Sequence, residues 1–325
     1  MSARTGLRRA ARHRIEYAFL RAVAAVCAVL PEVLADRAGA LLGWVVARVG
    51  RPRWGVVSEH LRMAFPERDE RWRRAVGRRC YAHLGAEAVA MFRLAGVSTW
   101  ALRERTRVVG IELLEAAAQE GRGVVVVSAH LGNWEVGGAA VIARGCPMDI
   151  VVARQRNELF DRYLTRSRER LGFGIIPRGE ARADVLRSLR EGRAVGIMGD
   201  QDARRGGVFA DFFGRPASTA RGPAILAMRS GAEMIMLFAI REPGWRPRYT
   251  VHLEPLAPAA KGGRRARRDE SVRALTRAFT SRIEERVREY PAQYLWLHRR
   301  WKTPPPDAAG TDGATRRDQA PSHSM

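Results

Sequence analysis

Lysine is almost missing from this chain of 325 residues. Of its 57 lysines and arginines only Lys261 and Lys302 are lysine, so the formal charge of +23, set against 34 aspartates and glutamates, is carried by arginine. Arginine's planar fork suits phosphate, and the imbalance points to an anionic partner: a phosphate-bearing lipid, an acidic protein or nucleic acid. Cysteine is scarce too. Cys27, Cys80 and Cys146 are odd in number, far apart and in no CxxC arrangement, which argues against a disulfide framework or a zinc site and for a reducing compartment. Nor is there a long apolar run. The first one free of charge, Ala22 to Leu30, stops at Pro31, well short of the ~20 residues that cross a bilayer.

What the amino terminus does have is a basic start, that apolar run and the triplet Ala38-Gly39-Ala40, together resembling a signal peptide. A second apolar stretch, Ala38 to Ala47, follows the would-be cut and argues against cleavage. Both stretches are flanked by arginines (Arg8, Arg9, Arg12, Arg14, Arg21, Arg37, Arg48, Arg51), the composition of helices lying against an anionic membrane surface. Packing of these helices on the rest of the chain is the competing reading. Residues 1–50 are therefore expected to form a membrane-associating helical segment and 51–302 the catalytic domain. The tail 303–325 has almost no apolar content and is expected to be disordered.

From Arg51 to Arg107 apolar residues recur at helical spacing, and Trp72, Tyr81, His83, Leu84, Met91 and Phe92 read as packing positions. After Gly110 the pattern alternates. Helices are expected near 111–120, 134–143, 158–171, 181–190 and 220–230. Strands are expected at 124–128, 148–153, around Ile175, and at 194–198, 233–240 and 248–254. Strands interleaved with helices mean βαβ units: an α/β fold, with a mostly parallel sheet covered on both faces. A basic loop, 257–271, precedes a last helix that ends near Tyr290.

Ligands of open α/β sheets bind at the carboxyl ends of the strands, and SAHLGNWE, residues 128–135, lies there directly after VVVV. Five positions on one helix turn through roughly 500°, so His130 and Glu135 share no helical face. They can meet if His130 sits on the turn and Glu135 one turn into the helix. The carboxylate would then accept from one imidazole nitrogen and leave the other to take a proton from an alcohol. A helix-capping histidine beside a solvated glutamate is the plainer alternative. A second strand end carries GDQD, with Asp200 and Asp202 beside Arg204 and Arg205 and an aromatic patch at Phe209, Phe212 and Phe213. A polar end beside an apolar slot suits an amphiphilic substrate, while a DxD pair could instead hold a divalent metal on a nucleotide sugar. Arginines cluster at Arg154, Arg156, Arg166, Arg168, Arg170 and Arg178, with strand-end Arg154 the best placed to meet an anion.

HLGNWE, VVARQRNELFDRYLTRSRERLGFGIIPR, GDQD, VFADFFGRPASTARGPAILAMRSGA and YPAQYLWLHRRWK occur in that order, and over residues 10–302 the chain resembles the bacterial lipid A biosynthesis acyltransferases. The resemblance implies a glycerolipid-acyltransferase-like fold on the cytoplasmic face of the inner membrane. The reaction it implies is acyl transfer from an acyl carrier protein thioester to a lipid-linked hydroxyl. It places a catalytic dyad on His130 and Glu135 and polar substrate contacts on Asn133, Arg154, Arg178 and Asp200. A neutral alcohol is a poor nucleophile and needs the base, whereas a thiolate leaves readily; no cofactor or metal is required. Backbone N–H groups near Gly132 and Asn133 are candidates for the developing oxyanion. The phosphatidylinositol mannoside acyltransferases, with coenzyme A as donor, are a close alternative. A DxD glycosyltransferase leaves HLGNWE without a role. A nucleic-acid partner explains the charge and nothing else.

Overall fold

The computed structural model describes residues 3–179, 181–256 and 265–306. Four helices come first: α1 (Ala3–Val29), α2 (Glu32–Arg48), α3 (Trp54–Ala64) and α4 (Glu70–Leu94). The alternating part runs α5 (Thr99–Arg105), β1 (Thr106–Val109), α6 (Glu112–Gln119), β2 (Val124–Gly132), α7 (Trp134–Ile142), β3 (Met148–Val152), α8 (Glu158–Arg170), β4 (Gly174–Pro177), α9 (Ala181–Arg190) and β5 (Ala194–Met198). A hairpin, β6 (Val208–Phe212) and β7 (Arg215–Thr219), interrupts it before α10 (Gly222–Ser230), β8 (Glu233–Arg241), β9 (Tyr249–Pro255) and α11 (Arg265–Glu289).

Seven strands make one sheet in the order β1-β9-β8-β2-β5-β3-β4, parallel except for the β8–β9 pair. This is the expected α/β fold, a mostly parallel sheet flanked by helices. The four valines of β2 explain its place at the centre. Val125 and Val127 enter one core with Phe279 and Ile283 of α11, and Val124 and Val126 enter the other with Val136 and Ala140 of α7. A strand apolar on both sides is stable only when both faces are covered.

Two expectations need correction. Strand β2 does not stop at 128 but runs through Gly132, with a register shift against β8 between Ser128 and Gly132. Gly132 permits this, because its φ of +64° suits glycine and a Cβ there would overlap the Ala239 carbonyl oxygen. The aromatic patch, read as a substrate slot, is instead largely core. Phe212 and Phe213 are buried in the β6–β7 hairpin against Tyr294, Trp296 and Trp301. Residues 257–264 of the basic loop and 307–325 of the tail lie outside the described residues.

Helix α2 is packed the wrong way round for a helix in water. Its buried face is small, with Ala35, Gly39, Gly43 and Ala47 set against α4, and its exposed face carries Leu34, Leu41, Leu42 and Val45. A Cβ at Gly43 would run into the Tyr81 carbonyl, so the close approach of the two helices depends on glycine. A buried polar network completes the joint. Arg241 of β8 reaches Asp36 of α2 at 2.6 Å and Glu87 of α4 at 3.0 Å, and Tyr249 donates to Glu87 at 2.8 Å. Among the described residues, no helix is long and apolar enough to cross a membrane.

The carboxyl-terminal aromatic segment closes the sheet's open end. Leu295 N–H donates to the His130 carbonyl at 3.0 Å, Trp296 is fully buried, and Trp301 packs edge-on against His60. His60 is itself buried, and burial pushes its pKa down to about 4. Unfolded, it takes up a proton below about 6.5; folded, it resists until about 4. Its contribution to stability is therefore complete above pH 6.5 and is lost on acidification towards pH 4, by roughly 3 kcal/mol at about 1.4 kcal/mol per unit. Urea unfolding at pH 7 and 4.5 should show a smaller acid loss in His60→Gln than in the parent, and equal losses would remove His60 as the cause.

Candidate active site

Strands β2 and β5 pair in parallel with Ser128 opposite Met198. His130 and Asp200 each lie two residues beyond that pair, and Gly199 N–H donating to the Ser128 carbonyl at 2.9 Å holds the two segments together just before them. His130 Nδ1 lies 2.8 Å from Asp200 Oδ1, and the His130 backbone N–H donates to Asp200 Oδ2 at 3.0 Å. Asp200 is buried, and Tyr294 is bonded to it as well. A carboxylate only accepts, so Nδ1 carries the proton and Nε2 is left as the basic nitrogen, 3.3 Å from the side-chain amide of Gln201.

The electrostatics reinforce that tautomer. Burial opposes a charge on His130, but the Asp200 carboxylate, through its charge and its hydrogen bond, outweighs it and raises the imidazole pKa above 6.5. Burial likewise pushes the Asp200 carboxyl up, and His130 more than reverses this, leaving it below its usual range. Trp134 packs edge-on against the imidazole with ring centres 4.7 Å apart.

Glu135 does not complete a dyad with His130. It is buried in the first turn of α7 and is held by Arg168 of α8, whose Nε lies 3.0 Å from Oε1 and 3.2 Å from Oε2. The reason is that His130 still belongs to the strand and its side chain turns towards β5, while Glu135 faces α8. Asn133 is no surface contact either. Its side chain accepts from Val136 N–H as the cap of α7 and donates to Glu87 at 2.6 Å, and its backbone N–H is committed to the Ala239 carbonyl. That removes the Asn133 N–H as an oxyanion donor. Arg154 and Arg178 stand exposed at the carboxyl ends of β3 and β4, on the same rim as His130.

His298 was not foreseen. Its Nε2 accepts from the Asp202 backbone N–H at 3.0 Å, while Asp202 Oδ2 takes a hydrogen bond from Thr303 at 3.0 Å. Burial lowers the pKa of His298, so it stays neutral and fixes the GDQD loop. Fully buried Arg300 clamps the hairpin by donating to the Ser218 carbonyl at 2.7 Å and lying over the Phe212 ring. A pairing of HRRW with GDQD could be suspected from their shared polarity, but sequence spacing carries no sign of it. The two DxD carboxylates thus enter separate hydrogen-bonded groups.

Beneath this rim, between the sheet and α7, lies an apolar pocket whose walls include Val126, Ile150, Met148, Phe173 and Leu237. Two glycines let its walls approach closely. A Cβ on Gly138 would strike the Phe173 ring, and one on Gly196 would meet Met148 and Ile150. Glu135 and Arg168 stand in one wall. A basic imidazole above an apolar cavity can deprotonate a hydroxyl beside a stored hydrocarbon chain.

Comparison with known proteins sets the chain among acyltransferases. The family model for bacterial lipid A biosynthesis acyltransferases matches residues 5–303. The lipid A biosynthesis palmitoleoyltransferase of Escherichia coli is 30% identical over 81% of this chain and 85% of its own length. The phosphatidylinositol mannoside acyltransferase of Mycolicibacterium smegmatis is 29% identical over 78% of this chain and 76% of its own. The lipid A biosynthesis lauroyltransferase of Escherichia coli is 27% identical over 85% and 88% respectively.

Proposed function

Because the chain belongs to the bacterial lipid A biosynthesis acyltransferase family and is an acyltransferase, we propose that it moves a fatty acyl chain from an acyl carrier protein thioester to a hydroxyl of a lipid A precursor, with His130 as general base. The observation that carries this reading is the His130–Asp200 pair, set at a strand end above an apolar cavity. Nε2 takes the hydroxyl proton as the oxygen attacks the thioester carbonyl. The tetrahedral intermediate expels the thiolate, the ester remains, and the imidazolium returns its proton to the sulfur. Asp200 orients the ring and offsets its charge. Glu135 acts at one remove, by holding Arg168 in the cavity wall. Arg154 and Arg178 are placed to meet phosphate on the acceptor.

Purified protein given an acyl carrier protein thioester and a lipid A precursor should yield one added ester, read by mass spectrometry. The similarity to phosphatidylinositol mannoside acyltransferases supports a second reading, in which coenzyme A is the donor and a mannosylated phosphoinositide the acceptor. Product from that pair alone would select it.

The same reading sets the protein on the cytoplasmic face of the inner membrane. The exposed Leu41, Leu42 and Val45 of α2, with Ile15 and Phe19 of α1, support attachment to a bilayer surface. Since α2 also carries buried Asp36, point substitution tests this better than truncation. Phe19→Glu with Leu41→Glu and Leu42→Glu should move the protein from the membrane pellet to the supernatant. Unchanged pelleting after a high-salt wash would put the attachment elsewhere, exposed Trp100 and Trp245 being the next candidates.

A further inference from the structure

The Glu135–Arg168 pair stands in the wall of two spaces. On one side is the pocket beneath the catalytic rim, and on the other a recess between α4 and α8, floored by apolar side chains such as Met91, Phe92, Leu164 and Leu171. The recess does not end there. Phe92, Ala95, Tyr163 and Ser167 also line a wider neighbouring cleft that reaches Arg21, Ala24 and Ala28 of α1. Met91 and Phe92, read from the sequence as plain packing residues, are half-buried because they face this space.

The outer end is cationic. Arg162, Arg166 and Arg170 recur every fourth residue on α8, so they share one face, and all three are exposed and line the space beneath α1. Among the described residues no ion pair neutralises any of the three. Helix α1 forms the roof. Asn157 Nδ2 donates to the His13 carbonyl at 3.0 Å, Arg21 lies over the Tyr163 ring, and Arg93 donates to the Leu30 carbonyl at 2.8 Å. The exposed Ile15 and Phe19 of that roof are the residues assigned above to the bilayer surface.

We propose that the cleft under α1 is a second lipid-binding subsite that takes an anionic amphiphile, its head group on Arg162, Arg166 and Arg170 and its hydrocarbon chain in the recess that ends at Glu135–Arg168. The order of surfaces is the argument: membrane-facing helix, unpaired arginines, apolar walls, then the partition from the cavity below His130. A zwitterionic lipid would leave the arginines unmatched, and a free phosphate would leave the apolar recess unfilled. The inference deepens the proposed function and rests on its reading of α1 as facing the bilayer. Binding is measured without any acyl transfer, so failure of the subsite and failure of the reaction can be told apart.

The test is photolabelling of the full chain on phosphatidylcholine vesicles doped with a phosphatidate whose acyl chain ends in a diazirine, with adducts mapped by mass spectrometry. Adducts are expected at Met91, Phe92 and Leu164. The variant Arg162→Gln with Arg166→Gln and Arg170→Gln should lower their yield about tenfold or more, since each arginine near an anionic head group contributes to binding. Ser167→Trp, which fills the shared lining and keeps the arginines, should lower it comparably while vesicle binding and the thermal midpoint persist. Adducts confined to the exposed faces of α1 and α2, equal labelling by a zwitterionic diazirine lipid, or full competition by glycerol phosphate would overturn the proposal.

Discussion

Replacing His130 by alanine should lower turnover by roughly 10²- to 10⁴-fold, the usual range for a general base. The fold should survive with some loss of stability, because Asp200 keeps the His130 backbone N–H and Tyr294 as partners when the imidazole is gone. Asp200→Ala should cost nearly as much, since it acts through the ring, and the double variant should be scarcely worse than His130→Ala alone. By contrast His130→Ala and Glu135→Ala, which touch different partners, should combine nearly additively. The pH profile separates orientation from mere bulk. A base must be neutral to accept a proton, and Asp200 raises the imidazole pKa above 6.5. The rate should therefore climb with pH through a midpoint above 6.5, and Asp200→Asn, which removes the carboxylate charge, should move that midpoint down. A folded His130→Ala protein with full activity would end this mechanism, and an unmoved midpoint in Asp200→Asn would end the role given to Asp200.

The strands that carry the site were legible because they are apolar on both faces, and only a buried parallel strand reads that way. VVVV and AVGIM are both followed, two residues past the paired register, by a polar group, His130 in one and Asp200 in the other. That matching offset was present in the sequence, but it has meaning only once β2 and β5 are known to be neighbours, and adjacency in a sheet is not written in spacing. The nearer carboxylate, Glu135, attracted the pairing instead. Strand β2 shows how one local feature misleads: Gly132 looks like the glycine of a turn, yet it continues the strand at positive φ under the Ala239 carbonyl. The β6–β7 hairpin stayed hidden for a related reason. Its aromatic residues suggested a slot, but Tyr294 and Trp301 return from the far end of the chain onto Phe212, and Phe65 and Trp296 pack on Phe213, making both core. Long-range closure of that kind leaves no periodic trace.

Arg168→Ala should be the most destabilising single change near the site. It would leave the Glu135 carboxylate, 6% exposed, without the one side chain that donates to it among the described residues. Removing one partner of a buried ion pair typically costs about 3–5 kcal/mol, more than the pair itself is worth, because the remaining charge is left desolvated. A solvated surface arginine, by contrast, would cost almost nothing on removal. Replacing both residues, Glu135→Leu with Arg168→Leu, should recover most of the stability, since apolar side chains suit walls already built from Val126, Phe173 and Leu237 on one side and Phe160 and Leu164 on the other. Urea unfolding of the two single variants and the double reads this directly. A double variant no more stable than Arg168→Ala would mean that the arginine is needed for its own packing. If stability returns and acyl transfer does not, the pair serves the reaction by keeping the catalytic cavity separate from the recess beyond it; if both return, it is a strut of the fold alone.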